Sequence, residues 1–124
     1  MIQAQELRIG NWVINYYGIP GILVSIHEGN SYRVKADGEI DAWGEENINP
    51  IPLTREILEK AGFIDNEIHL CDDKYIWING HWNTWHLRDG GEKDMFDLDE
   101  PPQYLHQLQN LYFALTGKEL TIQL

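Results

Sequence analysis

Asn79-Gly80, set between Tyr75-Ile-Trp-Ile78 and His81–Leu87, is the feature that most narrows the folds open to this chain. Asn-Gly supplies the two left-handed residues of a type I′ turn, whose twist matches that of the strands it joins. A two-residue loop would pair Ile78 with His81, Trp77 with Trp82, Ile76 with Asn83 and Tyr75 with Thr84. Side chains alternate across a strand, so one face carries Ile76, Ile78, Trp85 and Leu87. The other carries Tyr75, Trp77, Trp82, Thr84 and His86. The aliphatic face is the natural core. The aromatic face suits stacking against a sugar, a base or a partner's side chains if it stays open. Large aromatics more often end up inside, which favours coverage by a helix. Tyr75, Trp77, Trp82 and His86 are therefore the candidate binding residues.

Around this hairpin the chain reads as α+β. The first fifty residues are short strand patterns cut by turns: Asn11–Tyr17, Gly21–His27, Ser31–Lys35 and, across Asp37-Gly38, Glu39–Trp43. Their number and spacing suggest a small SH3-like barrel or meander. Asn49-Pro-Ile-Pro52 enforces extended backbone and marks a boundary. The parts are 1–50, an SH3-like β-unit, and 51–124, an α+β unit, or one continuous domain. Leu53–Gly62 is a helix with Thr54 as N-cap, a Leu53/Leu58 staple and Gly62 as the left-handed stop. Glu67–Leu70 opens a β-meander, and Arg88–Glu100 reads as an acidic loop. A final helix begins at Pro101-Pro102, with Tyr104, Leu105, Leu108, Leu111, Tyr112 and Leu115 at helical spacing. It is expected to pack on the sheet, with Leu120–Leu124 alternating like a closing edge strand.

Charge excludes several function classes. Twenty acids against nine bases give a net charge of −11, and the longest basic cluster is Arg33-Val-Lys35. Such a field repels nucleic acid and anionic membranes, so neither is an expected partner. It also leaves room for a DNA mimic, whose carboxylates would imitate phosphates. Cys71 is alone, which rules out an internal disulfide and suits the cytoplasm. The start, Met-Ile-Gln-Ala-Gln-Glu, has no basic or apolar region of a signal peptide, and no apolar run reaches membrane-spanning length.

No catalytic or cofactor motif emerges. His81 and His86 are five apart on a strand and point to opposite faces, and His69 with Cys71 lacks a second pair at zinc spacing. Asp94, Asp97, Asp99 and Glu100 do not fit a calcium loop. No nucleophile elbow surrounds Ser25 or Ser31, and no phosphate-binding Lys-Ser/Thr follows Gly90-Gly91. The reading is a non-enzymatic protein with no metal or cofactor.

Several blocks carry a resemblance. Leu7-Arg-Ile-Gly-Asn-Trp-Val13, Pro50-Ile-Pro-Leu-Thr54, Gly62-Phe63 and His106-Gln-Leu-Gln-Asn-Leu-Tyr-Phe-Ala-Leu-Thr-Gly-Lys-Glu-Leu-Thr121 resemble those of a small family from Bacteroides-type gut bacteria and their phages or mobile elements. The blocks span nearly the whole chain in the same order; Ile64–Glu100 does not take part. The family has no known activity, so the resemblance implies only a context: a cytosolic accessory protein of phage or mobile-element origin. A protein-binding accessory role is the expectation, with an acidic DNA mimic and a small-molecule binder using the aromatic hairpin face as the other readings.

Overall fold

The computed structural model describes residues 2, 4–29, 31–71, 73–79, 84–89 and 93–124. Among these residues the fold is mixed α+β, with two four-stranded antiparallel sheets and two α-helices. The chain divides into two compact units, Met1–Leu53 with Gln103–Leu111, and Thr54–Pro102 with Tyr112–Leu124.

The first unit is a meander of β1 (Trp12–Ile14), β2 (Pro20–His27), β3 (Ser31–Ala36) and β4 (Glu39–Gly44), in that spatial order. Alternation puts Val13, Leu23, Tyr32, Val34 and Trp43 on one face, where with Ile2 and Ile48 they form the core. Gly21 is required by a close approach: a Cβ there would sit 2.4 Å from Val34 Cγ1. An extra residue between Leu23 and Ser25 shifts the β2–β3 register and bends the strand. Of the two expected forms, barrel or meander, the strands take the meander: β1 and β4 are both edges, so no closed barrel is formed. After β4 the chain makes a 3-10 turn, Glu45–Asn47, and meets β1 at a single bridge, Ile14 to Asn49. β1 is also shorter than the predicted Asn11–Tyr17 strand, since Asn15–Ile19 folds into its own turn.

The second unit starts with helix α1 (Arg55–Lys60), capped as expected by Thr54, whose hydroxyl accepts from the Ile57 N–H at 3.2 Å. Gly62 follows at φ +107° and lets the chain leave the helix. The sheet runs β5 (Glu67–His69), β6 (Lys74–Asn79), β7 (Thr84–Asp89) and β8 (Lys93–Asp97). Ile68, Ile76, Ile78, Trp85 and Leu87 are buried, and Phe63 meets Trp85 edge to face at 5.9 Å.

Three further elements differ from expectation. β8 occupies part of the predicted acidic loop; Lys93-Asp-Met-Phe-Asp97 carries too few β-formers to announce itself, and charge of this kind is typical of an edge strand. Helix α2 (Leu105–Thr116) starts three residues beyond the prolines. Residues 51–53 and 103–105 pair antiparallel first, through Leu53 N–H to Gln103 O and Leu105 N–H to Ile51 O. Gln107 Oε1 then accepts from the N–H groups of Gln103 and Tyr104, half of a capping box. The expected edge strand at Leu120–Leu124 is irregular: Leu120 and Ile122 are buried as the alternation requires, but pair with no strand among the described residues.

Candidate functional site

The outer face of the second sheet holds three of the four predicted site residues. Its register corrects the hairpin: Trp77 pairs with His86, Ile78 with Trp85, Ile76 with Leu87, Tyr75 with Arg88 and Asn79 with Thr84. The two-residue loop would have set His81 and Asn83 against Ile78 and Ile76. The observed register instead sets Trp85 and Leu87 there, apolar against apolar on the buried side. The slip is four residues, an even number, so each side chain keeps its predicted face. Trp82 lies outside the described residues, as do Gly80, His81 and Asn83.

Tyr75, Trp77, His86 and Arg88 are half-buried, between the open and the covered readings of this face. The ladder lines up one row across all four strands: Glu67, Trp77, His86 and Asp97. The His86 ring lies 5.0 Å from the Trp77 ring, tilted by 30°, and the Arg88 guanidinium sits 5.5 Å over the same indole. Arg88 is also 3.7 Å from the Glu67 carboxylate. Tyr75 packs beside His69, with ring centroids 5.1 Å apart.

His86 is held at both nitrogens. A carboxylate only accepts, so Nδ1 donates to Asp97 Oδ1 at 2.5 Å. In the neutral ring Nε2 then accepts from the Thr84 hydroxyl at 3.1 Å. Hydroxyl, imidazole and carboxylate in this order are the parts of an activated nucleophile. Here the hydroxyl belongs to an exposed residue, Thr84, at the start of β7. What the arrangement does directly is lock the imidazole plane beside Trp77. Arg88 follows from parity, two residues beyond His86. Glu67 and Asp97 needed the register of β5 and β8, and β8 carried no recognisable signal.

A second polar cluster, missed in the sequence, lies in the first unit. Asn11, His106 and Gln109 are 0%, 1% and 2% exposed. Gln109 accepts from the Trp12 N–H at 2.8 Å and donates to Gly10 O at 3.0 Å. Asn110 Oδ1 accepts from Asn11 Nδ2 and Arg8 Nε, and Asn110 Nδ2 donates to Glu6 O. His106 stacks on Tyr104, and its Nε2 is 3.7 Å from Glu6 Oε1, beyond hydrogen-bond length. Burial pushes this imidazole's pKa below its ordinary value, with Glu6 pulling the other way. The cluster ties Leu7–Val13 to the first turns of α2, two of the blocks that carry the family resemblance. Its backbone and amide groups satisfy one another, an arrangement that joins chain segments, whereas both His106 ring nitrogens are buried with no hydrogen-bond partner among the described residues.

No helix among the described residues is long and apolar enough to cross a membrane. No protein-family model, curated protein or solved structure matches the chain.

Proposed function

We propose that this chain is a non-catalytic interaction protein that binds a protein partner through the outer face of its second sheet. The observation that carries the reading is Trp77, a half-buried indole against which both His86 and Arg88 pack. A large ring already fixed in one orientation loses little freedom on binding, which is what an interface anchor requires. Tyr75 and His69 extend the aromatic surface, and Glu67 and Asp97 give it a polar rim. The cytoplasm and a phage or mobile-element setting are the context that the sequence resemblance implies. The first unit is proposed to be SH3-like, a reading supported by its short meander and by the chain's return to β1 after a 3-10 turn.

The test is affinity capture from lysate of the source cells with tagged wild type and a Trp77→Ala variant checked for folding by circular dichroism. A specific partner held by wild type and released at least tenfold more readily by the variant is the expected result. A partner retained equally by both sinks the assignment to this face, and capture of a DNA-binding enzyme by both favours the mimic reading.

A further inference from the structure

The turn between β1 and β2 exposes two aromatic rings. Tyr16 and Tyr17 are each 82% exposed, the most open of the large apolar side chains among the described residues. Their backbone is far from loose. The Tyr17 and Ile19 N–H groups both donate to Asn15 Oδ1 at 2.9 Å, and Gly18 N–H donates to Asn15 O. Asn15 N–H donates to Ile19 O, and Tyr16 N–H donates to Asn47 Oδ1. Every backbone donor from Asn15 to Ile19 thus has an acceptor, and Gly18 at φ +82° supplies the left-handed position. A turn this fully bonded holds its side chains in place without help from a core.

The rings stand edge to face, centroids 5.8 Å apart and planes at 89°. Two aromatic planes at a right angle form two walls of a corner, and ring faces attract cations. The surrounding charge has the matching sign. No Lys or Arg occurs between Arg8 and Arg33, and Asn47, bonded to the Tyr16 N–H, closes the 3-10 turn that carries Glu45 and Glu46. A delocalised guanidinium stacks on such a face more readily than a strongly hydrated ammonium does.

We propose that the Tyr16–Tyr17 turn, with Glu45 and Glu46 beside it, is a second interaction surface that takes an arginine side chain presented by a basic protein partner. It is independent of the Trp77 face, which lies in the other unit. Nucleic acid and anionic lipid share the protein's own charge and are excluded as occupants by it.

The probe is a six-residue peptide of alternating arginine and glycine, titrated into the isotopically labelled full chain while backbone amide shifts are followed. A lysine–glycine peptide of equal length and charge is the comparison. Saturable shifts at residues 15–19 and 45–47 are expected, several-fold tighter for arginine. Tyr16→Ala/Tyr17→Ala, which leaves the net charge unchanged, should weaken binding about tenfold, whereas Tyr16→Phe/Tyr17→Phe should retain it. Equal binding of both peptides, shifts confined to other acidic surfaces, or indifference to the alanine pair would each overturn the proposal. Both rings are solvent-exposed, so the alanine variant keeps the core intact; matching amide spectra away from the turn verify this.

Discussion

At His106 two forces act in opposite directions on one proton. Burial disfavours the charged ring, while the Glu6 carboxylate 3.7 Å away favours it, and burial is the larger effect. The folded pKa therefore lies below the ordinary 6.5, whereas the unfolded chain keeps that value. Below pH 6.5 the unfolded chain takes up a proton that the folded chain refuses, so this residue's contribution is intact above 6.5. It is lost as pH falls from there through the folded pKa. The measurement is urea unfolding of wild type and His106→Gln between pH 8 and 5. Wild type should lose ground to the variant over the acidic half of that range; the reverse trend would mean that Glu6 outweighs burial. The sequence placed His106 within a helical stretch but not on its buried side. Leu105 and Leu108 mark that stripe, and a polar residue beside them reads as its margin.

Among the elements, the β6–β7 hairpin separates what periodicity can specify from what it cannot. Alternation decides which face a side chain takes, so Ile76, Ile78, Trp85 and Leu87 were readable as core, and Tyr75, Trp77 and His86 as their opposite. Register depends on loop length and on which residues meet across the ladder, and Asn-Gly argued for two residues between the strands where the paired ends, Asn79 and Thr84, are separated by four. A cross-link distinguishes the two pairings. In a Cys71→Ser background, Tyr75→Cys/Arg88→Cys should oxidise to a disulfide in the monomer, since directly opposed Cα atoms lie about 5 Å apart. Tyr75→Cys/Thr84→Cys should stay reduced, because Thr84 is four residues, roughly 13 Å, along the strand from Arg88. Disulfide formation by the second pair alone would restore the tight-turn register. β8 was invisible for a different reason: its pairing stems from the neighbouring strand, with little contribution from its own propensities.

Across the whole molecule, the strand order of the first sheet was legible because consecutive strands are neighbours, while β8 and the bonds joining residues about a hundred apart were not. Gln109 reaches Gly10 and Trp12 across 99 and 97 positions, and nothing in a glutamine announces such a partner. Gln109→Leu would leave the Trp12 N–H and the Gly10 carbonyl without partners, at a cost of about 2–3 kcal/mol. Urea denaturation should show the midpoint moving down with an unchanged slope; an unmoved midpoint would mean that water replaces the carboxamide at no cost. The same connection bears on the order in which the protein is made. When the first sheet's strands leave the ribosome, the residues that will bond Gly10, Asn11 and Trp12 have not yet been synthesised. The nascent first sheet therefore waits, incomplete, from Gly44, where its last strand ends, to Gln109, 65 residues later, and the last step of its folding follows the synthesis of the second sheet.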